Sequence, residues 1–98
     1  MARHKSSQIK HDIEVRRTAN SMRKRGFSVE ADIPGYERPG TIRGYRPDVV
    51  ARKGWQRLIV EVETTDSVDS ARDVKQQQAF KAAAKAAKHT SYRRRIAK

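Results

Sequence analysis

The chain has 98 residues and a formal net charge of +12, with 23 Lys or Arg against 11 Asp or Glu. This length predicts one domain, residues 1–98, with a modest core. Because cysteine is absent, a disulfide framework and a thiolate metal site are excluded. No run of about 18 apolar residues occurs, so no membrane partner or span is expected. The basic start lacks the apolar segment of a secretory signal, and we expect a cytoplasmic or nucleoid-associated protein.

The charge is concentrated at the two ends of the chain. Residues 1–25 carry a net charge of +6 and residues 81–98 carry +7, whereas residues 26–80 carry −1. Basic ends of this kind attract polyanions and favour nucleic acid as the partner. A solvated basic surface and an anionic membrane are the alternatives that charge alone leaves open.

The first half of the chain predicts a helix, a strand and a long loop. A helix over residues 6–25 ends at Gly26, with Ile9 and Ile13 on its buried face and Val15 and Ala19 beside them. Residues 27–33 alternate apolar and polar side chains, which is typical of a half-buried strand. Residues 34–47 contain three Gly and three Pro and predict a loop.

Residues 48–52 and 57–63 predict an antiparallel hairpin around Lys53-Gly54. Alternation places one apolar set on a single face: Val49, Ala51, Leu58, Val60 and Val62. The opposite face holds the mixed set: Asp48, Val50, Ile59, Glu61 and Glu63. A two-residue loop would set Asp48 opposite Ile59 and diagonal to Glu61, whereas a four-residue loop would set Asp48 directly opposite Glu61.

The last third of the chain predicts a second helix, over residues 70–89. Asp69 or Ser70 can cap it, and its candidate packing positions are Val74, Phe80, Ala84 and Ala87. Residues 91–98 are interpreted either as a short edge strand or as a flexible basic end, like residues 1–5. The order helix, strand, hairpin, helix, strand predicts an α/β fold with a small mixed β-sheet flanked by helices, in the order α-β-β-β-α-β.

The hairpin raises a question of charge, because Asp48, Glu61 and Glu63 lie among residues that favour burial. Burying an unpaired carboxylate costs several kcal/mol or shifts its pKa strongly. A divalent cation would compensate them, since Mg²⁺ binds one or two carboxylates and completes its shell with water and phosphate oxygens. An alternative is that Glu61 and Glu63 form the solvated face of an edge strand and pair with Arg52 and Arg57.

The segments RPDVVA and LIVEVETT, in this order of elements, resemble the PD-(D/E)xK nuclease superfamily, and its archaeal Holliday-junction resolvase branch in particular. The resemblance covers about residues 9–90. It implies a restriction-endonuclease-like core and a homodimer. It also implies a DNA endonuclease that uses Mg²⁺ or Mn²⁺, acts on branched or junction DNA and needs no small-molecule cofactor.

The resemblance also implies roles for particular residues. Asp48 corresponds to the central metal ligand, Glu61 to the second ligand, and the Val62 carbonyl to a third. Glu14 resembles the glutamate of the first helix that completes the metal shell. Gln77 or Gln78 resembles the polar residue on the helix after the motif.

Glu63 stands where the superfamily motif has lysine, which orients the attacking water. Three interpretations compete: Glu63 is itself a metal ligand or general base, a lysine on another element such as Lys75 replaces it, or the fold remains without catalysis. The last interpretation gives the alternative function, a catalytically inactive nucleic-acid-binding module on a nuclease-like fold.

Several polar side chains are predicted to contact DNA phosphates or bases. The set is Arg16, Arg17, Arg43, Arg46, Gln77, Gln78, Arg93, Arg94 and Arg95. Tyr36, Tyr45 and Trp55 either stack on bases or pack against the protein. The three histidines follow no metal-ligand spacing and are predicted to lie on the surface.

Overall fold

The computed structural model describes residues 5–66 and 70–97, and these residues form two helices and four strands. In chain order the elements are α1 (Lys5–Lys24), β1 (Ser28–Ala31), β2 (Val49–Lys53), β3 (Gln56–Thr64), α2 (Ala71–Ala86) and β4 (Thr90–Ala97). The predicted α/β order is confirmed. Neither of the described helices is long and apolar enough to cross a membrane.

The four strands form one mixed sheet in the order β1-β2-β3-β4. β1 and β2 pair antiparallel, as do β2 and β3, whereas β3 and β4 pair parallel. The chain crosses from β3 to β4 through α2, as parallel pairing requires. β4 is therefore an edge strand, which is one of the two alternatives for residues 91–98. Residues 1–4 and 98 of the predicted basic ends lie outside the described residues.

The β2–β3 hairpin has the register predicted for the four-residue loop, but its strands pair further and leave a shorter turn. Lys53 pairs with Gln56 and Val49 pairs with Val60, so the two-residue turn is Gly54-Trp55. Gly54 has a φ of +59°, which suits the first central residue of a type II′ turn. The same register continues to place Asp48 opposite Glu61.

The two helices cover opposite faces of the sheet. Val15, Ala19 and Met22 of α1 join Val49 and Val60 in one buried apolar cluster. The predicted packing face of α1 is wrong, since Ile9 and Ile13 are 54% and 52% exposed. Both apolar stripes have helical spacing, and the smaller side chains of the Val15–Ala19 stripe let the helix pack close to the sheet.

α2 packs on the other face through Phe80, which is fully buried. The Phe80 ring lies 6.0 Å from that of Tyr92 on β4 and 6.5 Å from that of Tyr45 in the long loop. Tyr92 pairs with Ile59 in the parallel register, so this aromatic group lies on the sheet face opposite α1. Val74, expected to pack, is 40% exposed, because it precedes Phe80 by six positions and so lies about 120° around the helix from it.

Capping groups fix the ends of the helices. At the end of α1, the N–H of Phe27 donates to Met22 O at 3.1 Å, and that of Gly26 donates to Arg23 O at 3.0 Å. This pair of bonds with Gly26 at φ +91° is a Schellman motif. Ser70 caps α2 by accepting from the N–H of Asp73. The other predicted cap, Asp69, lies outside the described residues.

Candidate functional site

An acidic cleft of about 830 Å³ lies at the end of the sheet opposite the hairpin turn. The first turns of α1 and α2 border it, through Lys5 and Gln8 and through Ser70 and Arg72. Six carboxylates and four Lys or Arg among the described residues line the cleft, so it has an excess of negative charge inside a strongly basic protein. The acidic residues are Asp12, Asp32, Asp48, Glu61, Glu63 and Asp73.

Asp48 and Glu61 form the centre of the cleft and bind each other's strand. The Asp48 N–H donates to Glu61 Oε1 at 2.9 Å, and the Val62 N–H donates to Asp48 Oδ2 at 2.8 Å. Each carboxylate thus accepts from a backbone amide of the neighbouring segment. The exchange fixes both side chains against the sheet and offsets part of their desolvation.

Glu61 and Glu63 are buried, at 4% and 3% exposure. Their strand is central, between β2 and β4. The alternative of a solvated edge-strand face is therefore wrong for these two residues. Arg52 was an expected partner of these glutamates, but it instead forms an ion pair with Glu30 at 2.8 Å.

His11 is one of two residues of the site that were not predicted from the sequence. Its side chain is only 8% exposed, and its Nε2 lies 3.2 Å from Asp48 Oδ1. Its Nδ1 lies 3.0 Å from Asp12 Oδ1, and only a doubly protonated ring donates to both carboxylates. The prediction of a surface histidine is wrong here, because α1 directs His11 toward the same sheet end as Asp48. The only sequence feature that could have indicated this is its spacing of four from buried Val15.

Asp73 on α2 is the second residue of the site that was not predicted. It is 3% exposed, accepts from Gln77, and forms an ion pair with Arg94 of β4. Arg94 lies opposite Glu61 in the β3–β4 register. Thus β4 brings a cation to the sheet face that carries the buried carboxylates.

Tyr92 lies beside these acids on the same face of the sheet. Its hydroxyl oxygen is buried without a hydrogen-bond partner among the described residues. Burial raises the pKa of Tyr92 well above its ordinary value, and the nearby carboxylate of Glu61 raises it further. The Tyr92 hydroxyl therefore remains protonated and is a potential donor beside the acidic cleft.

Two predicted site residues lie away from the cleft lining. Glu14 lies 3.2 Å from Arg17 and 3.5 Å from Arg95, in a separate pocket on the α1 side of the sheet. Lys75 is exposed and faces away because it follows Asp73 by two positions, about 200° around the helix. His11 on α1 and Gln76 on α2 line the cleft instead.

The predicted DNA-contacting residues fall into three groups. Arg46 lines the cleft and donates to Pro39 O, while Gln77 and Arg94 bind Asp73. Arg16 donates to Pro34 O at 3.0 Å. The others have exposed side chains: Arg17, Arg43, Gln78, Arg93 and Arg95.

The residues present fit a cation that needs few protein ligands. Among residues 5–66 and 70–97, no group of three or more His, Asp or Glu could hold a metal ion. Mg²⁺ is usually bound through one or two carboxylates, with water and substrate phosphate completing its shell. A carboxylate oxygen that accepts one N–H retains a second lone pair. Asp48 and Glu61 therefore suit an oxygen-binding cation of this type.

A mixed sheet between two helices, with paired acids at one end, defines a restriction-endonuclease-like α/β core. The model of the AHJR-like family of restriction-endonuclease-like proteins (REase_AHJR-like) matches residues 2–93. The chain therefore belongs to the REase_AHJR-like family. Its PD-(D/E)xK assignment is confirmed, and the archaeal Holliday-junction resolvase resemblance agrees with the family name. A comparison with curated proteins finds no match.

Proposed function

We propose that this nuclease-family protein is a metal-dependent DNA endonuclease that hydrolyses phosphodiester bonds in branched DNA. The observation that carries the proposal is the pairing of Asp48 with Glu61 at the centre of an acidic cleft in a protein of net charge +12. Two neighbouring carboxylates destabilise the fold through their desolvation and mutual repulsion. A cation held between them and a DNA phosphate would offset that cost and serve catalysis.

Asp48 and Glu61 would hold Mg²⁺ or Mn²⁺. When bound, the cation would act as a Lewis acid on the phosphodiester and would lower the pKa of a water molecule. Asp48 is oriented for this task by the Val62 N–H and by His11. Glu61 is oriented by the Asp48 N–H. Neither side chain needs to change its backbone contacts to receive the cation.

Cationic side chains at the cleft would bind the DNA backbone. Lys5, Arg38 and Arg72 line it together with Arg46, and the amino ends of both helices border it. Cations and helix amino ends both favour phosphate. Lys5 is the one lysine among the described cleft-lining residues, so it replaces Lys75 as the candidate for the missing motif lysine.

Cleavage assays test the proposal directly. Linear duplex, single-stranded and four-way-junction DNA are incubated with EDTA, Mg²⁺ or Mn²⁺ and with wild type, Asp48→Asn, Glu61→Gln or Glu14→Ala. We expect metal-dependent cleavage that both cleft variants lose by at least about 100-fold, as removal of one electrostatic catalytic group typically does. Glu14→Ala, which alters an acid outside the cleft, is expected to retain cleavage. Wild-type activity in Asp48→Asn would overturn the site.

A second candidate, an inactive nucleic-acid-binding module, is favoured by one observation. Glu63 replaces the motif lysine, and it is buried among Glu61 and Asp73 without a lysine on the same strand. DNA binding without cleavage of any substrate under either metal would establish this candidate and refute the endonuclease.

The expected homodimer is part of the proposal. A small domain gains stability by burying surface against a copy of itself, and two copies supply the two cuts that a symmetric junction requires. Sedimentation equilibrium measures it: a mass near twice 11.2 kDa is expected, and a monomer in the presence of junction DNA would contradict it.

A further inference from the structure

The tip of the β2–β3 hairpin carries an unusual exposed side chain. Trp55 is 88% exposed at the second position of the Gly54-Trp55 turn. It is the only tryptophan of the chain. A tryptophan side chain has a large apolar surface, and leaving it in water forgoes the stabilisation that burial gives. This position therefore suggests a surface that a partner covers.

A second ring lies beside Trp55. The His89 ring lies 6.2 Å from the Trp55 ring, centroid to centroid, with 38° between the planes. The backbone of His89 is fixed beside β3, because its carbonyl accepts from the Arg57 N–H at 2.9 Å. The α2–β4 connection and the hairpin turn thus present two rings side by side, with one face of Trp55 toward solvent.

The surroundings of this pair are basic. Residues 51–58 and 85–92, which meet through the β3–β4 pairing, contain five Lys or Arg and no Asp or Glu, and one of the five, Arg52, is paired with Glu30 of β1. Lys53 Nζ donates to the carbonyl oxygen of Arg25 at 2.8 Å, so its position is fixed while its charge is not neutralised by an acid. Lys85 and Lys88 have exposed side chains. An aromatic face among cations matches a nucleic acid, whose bases stack and whose phosphates are anionic.

We propose that Trp55, supported by His89, is a stacking site for an unpaired nucleobase, outside the catalytic cleft. The ligand is single-stranded or frayed nucleic acid, since the bases of an intact duplex offer no free face. This site is independent of the proposed endonuclease activity, and the two proposals share only nucleic acid as the ligand.

The site lies at the far end of the sheet from the cleft. Trp55 and Asp48 are separated by the length of β2, about 20 Å at ~3.4 Å per residue. The same distance spans about six nucleotides of a helical strand at ~3.4 Å each. One nucleic acid can therefore contact both places when its unpaired position lies about six nucleotides from the phosphate at the cleft.

The single tryptophan makes the test direct. Wild type and Asp48→Asn are titrated in EDTA with an unlabelled single-stranded oligonucleotide and with a duplex closed by a loop at each end, and tryptophan emission is recorded with excitation at about 295 nm. We expect the bases of single-stranded DNA to quench Trp55 in both proteins, with weaker quenching by the closed duplex. Equal quenching by both DNAs, or none, would overturn the proposal.

Affinity then separates stacking from charge. Trp55→Ala should weaken single-strand binding about 5- to 150-fold, the range expected for loss of one stacked base, with an unchanged salt slope because phosphate contacts remain. Gln56→Ala, the next residue of the hairpin, is the matched control and should bind as wild type. Equal affinity of the two variants would refute the site. So would an emission shift that follows protein concentration without DNA, since a second copy would then cover Trp55.

Because these measurements use EDTA and a cleft variant, their result does not depend on cleavage. If single-stranded DNA quenches the tryptophan emission but the protein cleaves no DNA, the Trp55 site is supported and the endonuclease is refuted. If the protein cleaves junctions but its tryptophan emission is not quenched by DNA, the endonuclease is supported and the Trp55 site is refuted.

Discussion

Asp48 gives the sharpest test of how the cleft is held together. In the structure its Oδ2 accepts the Val62 N–H at 2.8 Å and its Oδ1 lies 3.2 Å from His11. Replacement by Ala removes both contacts but retains the backbone N–H that Glu61 accepts. Replacement by Asn retains an acceptor oxygen of similar position and removes the charge. The two variants therefore separate the hydrogen bond from the electrostatic effect.

Two opposing effects determine the magnitude. A hydrogen bond to a charged group contributes about 1.5–3 kcal/mol, and a neutral one about 0.5–1.5 kcal/mol. Loss of the Asp48 charge also relieves repulsion among neighbouring carboxylates, equally in both variants. Asp48→Asn should therefore be more stable than Asp48→Ala by about 1 kcal/mol, which corresponds to ~4–8 °C in Tm for a domain of this size.

Urea and thermal unfolding in EDTA measure this difference, with wild type and Glu37→Ala beside the two variants. Glu37 is an exposed acid that does not line the main cleft, so its removal reports the effect of charge alone on a basic protein. An Asp48→Ala variant as stable as Asp48→Asn would show that the contact with Val62 does not stabilise the fold.

Three further outcomes follow from the packing and the backbone. Phe80→Ala should lower the free energy of unfolding by about 3–5 kcal/mol, because Phe80 is fully buried, while Val74→Ala on the exposed side of α2 should change it by less than ~0.5 kcal/mol; equal effects in urea unfolding would contradict this packing. The raised pKa of Tyr92 means that the folded state keeps a proton that the unfolded state loses near pH 10. The free energy of unfolding should thus decrease as the pH rises above about 10. The decrease should be smaller in Tyr92→Phe than in Tyr45→Phe, and parallel pH profiles of Tm in the two variants would refute this role of Tyr92. Gly26→Ala should cost about 1–2 kcal/mol, since φ at this position is +91°, and an unchanged Tm would exclude that cost.

The sequence predicts the two faces of the hairpin because alternation leaves little choice. Val49, Ala51 and Val60 fall on one face in both predicted registers, since these differ by two residues, and they are buried together. The register itself was left open between a two-residue and a four-residue loop, because both give the same alternation. The antiparallel pairs, extending from Lys53 with Gln56, decide it in favour of the alignment that joins Asp48 to Glu61.

The buried face of α1 and the position of His11 could not be predicted from the sequence pattern. Ile9 with Ile13 and Val15 with Ala19 both have the four-residue spacing of a helix stripe, so periodicity does not choose between them. The choice depends on which stripe fits the sheet, a tertiary property. His11 and Asp48 are 37 positions apart, and their contact exists only because α1 and β2 bring their ends together.

The carboxylates of the cleft are compensated chiefly by the fold. The sequence suggested a bound divalent cation as the compensation for Asp48, Glu61 and Glu63, with arginine pairing on a solvated face as the alternative. Instead the Val62 and Asp48 amides serve two of them, and Arg94 enters the same sheet face from β4. The acids are therefore positioned before any cation binds, unlike sites whose folding requires the metal. Glu63 stands in place of the motif lysine on β3, and Arg94 of the parallel strand beside it brings a positive charge to the same sheet face, where it pairs with Asp73.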